Sequence, residues 1–235
     1  MTKRPIADQP TRLVKAVARK NTADEATRPV KAVRRREAPR MLPPSLFEAR
    51  HVRFVERFSL NFTGNDYELE DAAGAIAMRA ESRLHVFRGW RYDFTVDGDV
   101  RFSMSRKTKL LLLDGLKVFD AQKRVLGEFQ QRPTAFSVHF DVVDGEGQPR
   151  FVVQQPSEVW THFSVRRGTT TLAEIERSHR RWDGSARELV TVEDAFTVEF
   201  TATVDELERV LIIAAALFLD RLYFSHADNS GSNSF

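Results

Sequence analysis

Cysteine is absent from the 235 residues. That excludes disulfides, thiolate zinc sites, iron–sulfur clusters, thiol nucleophiles and S-acyl anchors together. Long hydrophobic runs are missing as well. The longest uncharged apolar run, Val210–Leu219, has ten residues between Arg209 and Asp220. As a helix it would extend about 15 Å, half of the ~30 Å hydrocarbon layer of a bilayer. The first forty residues lack aromatic side chains and any apolar stretch of the kind that starts a signal peptide. The expectation is a cytoplasmic protein without a conventional membrane span. A surplus of one charge is absent overall, since 36 Lys+Arg face 33 Asp+Glu. With no covalent staple, the fold must rest on its own core, and a body of about 190 residues is large enough to bury one.

The near-neutral total hides an asymmetry. Residues 1–40 hold 12 basic and 4 acidic side chains, a charge of +8, and the remainder carries 24 against 29, or −5. Residues 1–44 therefore read as a disordered basic tail, interrupted by Pro5, Pro10, Pro29 and Pro39. Inside it Thr11-Arg-Leu-Val-Lys-Ala-Val-Ala-Arg-Lys20 recurs as Thr27-Arg-Pro-Val-Lys-Ala-Val-Arg-Arg-Arg36. Lys15, Arg19, Lys20, Lys31, Arg34, Arg35 and Arg36 are the candidate contacts to lipid phosphates, each contributing roughly 1 kcal/mol near an anionic leaflet. Nucleic acid is the lesser alternative, because a tail without aromatics cannot stack on bases.

From Leu46 to Phe200 the apolar period is two. Arg53–Phe62, Val138–Val142 and Phe196–Phe200 alternate, separated by turn sequences such as Asp97-Gly98-Asp99, Asp114-Gly115, Asp144-Gly145-Glu146-Gly147 and Arg167-Gly168. Short strands joined this way predict an antiparallel all-β fold, a barrel or a sandwich. A unit of strand, Asp, two residues, Gly or a polar substitute, then strand, appears at Tyr67–Gly74, Leu116–Lys123 and Phe140–Gly147. The one strong helix lies near 205–224, with Thr203 or Asp205 as its cap and Glu206 and Glu208 in its first turn. It is apolar almost all round, broken by Glu208, Arg209, Asp220 and Arg221. Such a helix must be surrounded by protein, and a barrel with a helix through its middle provides the surround. Residues 225–235 read as a second disordered tail.

Two features resemble the phospholipid scramblases and, more widely, the tubby C-terminal-like and LURP-one-related proteins. One is the strand–Asp-x-x-Gly–strand unit. The other is the ending, Asp194-Ala-Phe-Thr-Val-Glu-Phe-Thr-Ala-Thr-Val-Asp205 followed by Leu211-Ile-Ile-Ala-Ala-Ala-Leu-Phe-Leu-Asp220-Arg-Leu-Tyr-Phe224. The resemblance spans about 46–224 and implies a closed antiparallel barrel of about twelve strands enclosing the C-terminal helix, in a domain running over 45–224. It also implies a lipid-related role; an enzyme is not expected, because no catalytic constellation stands out in the sequence. The link before the helix departs from the scramblase pattern: Thr201, Ala202 and Thr203 occupy its middle. A calcium site needs six to eight oxygens, so calcium dependence is not expected. The palmitoylated cysteines of those relatives are missing too.

No metal or other cofactor is expected. The six histidines have no helical metal-ligand spacing, and neither a nucleophile elbow nor a phosphate-binding Gly-rich loop occurs. Nothing in the sequence points to a small-molecule substrate. Tubby-like domains hold phosphoinositide head groups with Lys and Arg on the barrel wall. The resemblance therefore makes Arg88, Arg91, Arg106, Lys107 and Lys109 candidate phosphate contacts. Two functions stay open: peripheral association with anionic membrane, with lipid binding or lipid movement, or a soluble tubby-like scaffold or ligand-binding module whose tail engages a protein or nucleic acid.

Overall fold

The computed structural model describes residues 40–57, 66–85, 89–108, 114–132, 137–156, 161–178 and 195–223. Residues 1–39, most of the basic segment, and residues 224–235 lie outside them. Twelve strands form one closed antiparallel barrel. They are β1 (His51–Arg57), β2 (Asp66–Glu70), β3 (Ile76–His85), β4 (Gly89–Val96), β5 (Asp99–Thr108) and β6 (Asp114–Asp120). The second half is β7 (Val125–Gln131), β8 (His139–Asp144), β9 (Pro149–Gln154), β10 (His162–Arg167), β11 (Thr170–Ser178) and β12 (Ala195–Phe200). Each strand pairs with its neighbours in sequence, and β1 closes the ring on β12 with Phe54 opposite Phe196. A short helix, α1 (Pro44–Glu48), precedes the barrel, and α2 (Glu206–Tyr223) follows it.

The three sequence units become three hairpins of one design. In each, the Asp N–H donates to the carbonyl four residues on, and the residue three on donates back to the Asp carbonyl. The Asp71 and Asp144 carboxylates also accept amide N–H groups two and four residues ahead, and Asp120 accepts from Arg124 N–H. For Asp144, the Gln148 N–H above all, then the Glu146 N–H and the Arg150 guanidinium, hold the carboxyl below the usual range. The fourth position is left-handed: Gly74 at φ +77°, Lys123 at +66° and Gly147 at +82°. A register shift follows in all three ladders, so the turn carries its own bulge. Lysine in this conformation sets its Cβ against the carbonyl. Lys123→Gly should therefore raise stability by about 0.5–1 kcal/mol. Urea midpoints of the variant and the parent, at equal m, check it.

Asp97 and Gly98, at φ +52° and +84°, make the two-residue turn between β4 and β5. Asp114-Gly115, by contrast, is no turn. Both residues belong to β6, where Gly115 pairs with Lys107 on one side and Gln130 on the other. The sequence-drawn boundary at 44/45 lies inside α1, and Leu42 ahead of it is buried.

The interior is filled by α2. Every residue from Val210 to Leu219 is at most 1% exposed. Phe218 packs on Phe140, Phe129 and Trp90 at ring separations of 5.2, 6.0 and 6.1 Å. The barrel's own inward rows, such as Val52 and Phe54 on β1 or Phe102 and Met104 on β5, complete the core. Asp205 is the cap: its carboxylate accepts Glu208 N–H at 2.7 Å while Glu208 accepts Asp205 N–H at 3.2 Å. Among the described residues no helix is long and apolar enough to cross a membrane.

Candidate functional site

Strand directions sort the molecule into two ends. The tight turns at 71–75, 97–98, 121–124, 145–148 and 168–169 lie at one end, where α2 begins. The C-terminal turn of α2 emerges at the other, called the mouth here. The charged side chains that interrupt α2 tie it down at both ends.

At the tight-turn end Glu208, 2% exposed, receives Arg167 of β10 at 2.5 Å. Arg150 of β9 bridges the Asp144 turn and the cap Asp205 at 3.1 and 3.3 Å. Glu206 accepts the N–H groups of Met41 and Leu42, and Arg209 donates to the carbonyls of Leu46 and Ala49. The Arg209 guanidinium lies 3.8 Å from the centre of the Phe200 ring. Residues 41–49 are thus strapped across the start of α2 by two of its side chains.

At the mouth, Tyr67 of β2 donates to the carboxylate of Asp220 in the last turns of α2. Asp220 is 2% exposed. Burial, opposed by the Tyr67 hydrogen bond and reinforced by Glu56 of β1, pushes its carboxyl up to about 7. Burial, then the charge of Asp220, moves the Tyr67 phenol well above its ordinary range. Arg177 of β11 and Arg221 of α2 bring positive charge to the same carboxylate, and Arg221 lies over the ring of Tyr92 of β4.

The lipid-contact candidates Lys15, Arg19, Lys20, Lys31, Arg34, Arg35 and Arg36, and the phosphate-contact candidates Arg88 and Lys109, lie outside the described residues. Arg91 stands on the outer face of β4. It and Arg83 of β3, its cross-strand partner, grip Asp93 at 2.7 Å each, and the carboxylate between them is 7% exposed. Arg106 shares its strand face with the buried Phe102 and Met104, so Arg91 and Arg106 do not converge. Lys107 pairs through its backbone with Gly115. Arg57, Arg79 and Arg83 line a half-open groove of about 480 Å³ with Asp66, Glu68 and Glu81. Glu68 holds Arg57 at 2.7 Å and Arg79 at 3.4 Å. Basic and acidic groups balance on this wall. Sequence reading missed Arg57, Arg79 and Arg83, because only the register puts them side by side.

The chain is thus a helix-cored antiparallel barrel protein, its helix tied at both ends by charged side chains and its outer wall carrying paired charges. It belongs to the Scramblase family, whose model matches residues 46–226. No curated protein matches it.

Proposed function

We propose that the protein is a non-enzymatic, scramblase-like protein that associates peripherally with anionic phospholipid surfaces from the cytoplasmic side. The observation that carries this reading is the separation of charge within a member of this family. Residues 1–40 hold +8, while the rest of the chain is net acidic, and on the described wall Arg57, Arg83 and Arg91 are paired with carboxylates. Lys15, Arg19, Lys20, Lys31, Arg34, Arg35 and Arg36 are the contacts this reading assigns to lipid phosphates. Because α2 is committed to the interior, insertion of that helix would unmake the core. Attraction by the basic segment is cumulative, roughly 1 kcal/mol per side chain, and is screened by salt.

A second reading draws support from the near-repeat. Charge alone anchors a tail to lipid, yet both copies keep Val-Lys-Ala-Val, at Val14–Val17 and Val30–Val33. A protein partner that reads those side chains twice would gain avidity from the repeat.

Co-sedimentation with neutral and anionic liposomes separates the readings. The truncated chain should begin at Pro39, since Met41 and Leu42 are tied to Glu206. Binding by the full chain alone, to anionic vesicles alone and lost with added salt, is the expected result. Binding by the truncated chain would move the lipid site to the barrel and call for a lipid-flip assay. Absence of binding at low salt would overturn the membrane reading in favour of a protein partner.

A further inference from the structure

We propose that Asp220, buried beside Tyr67, is a proton-operated latch on the C-terminal turn of α2, closed when Asp220 is neutral and loosened when it is charged. This does not depend on the lipid reading.

The geometry is that of a conditional tie. From Val210 to Leu219 the helix is held by apolar packing that no proton can alter. Asp220 is the first ionisable side chain past that stretch, and it sits in the last helical turns, where the unsatisfied carbonyls make a carboxylate anion unwelcome. Several groups face it. Tyr67 comes from β2, Glu56 from β1, Tyr92 from β4 with Ser82 of β3 bonded to it, Arg177 from β11 and Arg221 from α2 itself. Tyr67 and neutral Asp220 form an uncharged pair that fits the water-poor mouth. Ionised Asp220 instead places a charge beside Glu56, offset by Arg177 and Arg221.

The raised acidity constant fits this arrangement. A carboxyl at about 7 when seated and near 4 when released binds its proton more tightly in the closed state. The seated form is therefore favoured at low pH and loses ground as pH rises between those values. In that window the opening equilibrium should grow about tenfold per pH unit, levelling off above the seated value.

Hydrogen exchange of residues 217–223 in the full chain, corrected for intrinsic rates, reads the opening directly. Comparing about pH 5 with about pH 7.5, the wild type should lose protection by roughly 50- to 100-fold. Asp220→Asn, near-isosteric and uncharged, should give a flat profile. Tyr67→Phe removes the hydroxyl that favours the anion, so the levelling point should move to higher pH. A carboxyl-carbon NMR titration of Asp220 in the unmodified chain gives an answer even if a variant misfolds. A midpoint near the ordinary value of about 4, or superimposable exchange profiles for wild type and Asp220→Asn, would overturn the latch.

Discussion

Gly127→Ala is expected to lower the stability of the barrel by about 3 kcal/mol, and Gly127→Val to prevent its closing around α2. Gly127 sits on β7 where the Leu211 side chain of α2 comes close to the wall. A Cβ built there would lie 2.8 Å from the Leu211 side chain and 2.8 Å from the Val143 carbonyl oxygen. Real carbon atoms do not approach to that distance. Leu211 could turn away at the expense of its own packing, but the carbonyl is backbone of β8, where Val143 is held in register opposite Glu128 of β7. The loss therefore exceeds what a flexible contact would show, and it outweighs the backbone-entropy gain of replacing glycine. Urea unfolding monitored by Trp fluorescence checks the magnitude. The double variant with Leu211→Ala adds a second test, because it relieves one clash and leaves the other. A full rescue would mean that the helix, not the sheet, sets the limit.

Arg209→Met should cost about 3 kcal/mol and loosen the strap before it melts the barrel. The side chain is 8% exposed, and its head group satisfies two carbonyls that face inward, those of Leu46 and Ala49 at 3.2 and 2.6 Å. Methionine keeps most of the volume and none of the donors. The carbonyls then lose partners that water cannot easily replace, and the face of Phe200 loses its cation. Both bonds leave one nitrogen, Nη1, so a lysine ammonium with its three donors can serve both carbonyls, and what lysine should fail to recover is the guanidinium's contact with the Phe200 face. Limited proteolysis is the discriminating measurement. Cleavage within 40–50 should appear in Arg209→Met at denaturant concentrations where the strands remain protected, and equal susceptibility of strap and barrel would count against the strap.

The legible parts of this fold were those written locally. An Asp that accepts amides two and four residues ahead makes its turn without help from the rest of the chain, so Tyr67–Gly74, Leu116–Lys123 and Phe140–Gly147 could be read as hairpins. A helix whose ten central residues are apolar on every side announces its burial. Asp114-Gly115 misled because the dipeptide is the same in a turn and at the head of a strand; only the pairing of Gly115 on both sides tells them apart.

The wall residues were illegible for a geometric reason. The turn at Asp97-Gly98 pairs Val96 with Asp99, and continuing that register would set Arg91 opposite Met104, on one face with Arg106. A one-residue shift between Phe94 and Thr95 puts Arg91 opposite Ser105 instead. A single bulge thus turns a would-be basic cluster to opposite faces. The ties of α2 were hidden similarly. Glu208, Arg209, Asp220 and Arg221 stood out as interruptions, but their partners come from β10, the strap, β2 and β4, and no local rule names them.

The seam between β1 and β12 bears on how the chain is made. Its partners, such as Val52 and Val198, are separated by most of the polypeptide, and the helix that fills the ring is encoded after both. On a ribosome the early hairpins can form as they emerge, but they have nothing to wrap around until residue 223 has left the exit tunnel. Closure is then a late, high-contact-order event, slow compared with the hairpins themselves. A nascent chain stalled ahead of α2 would hold an unfilled sheet with two open edges, the kind of species that chaperones retain and that aggregates when they do not.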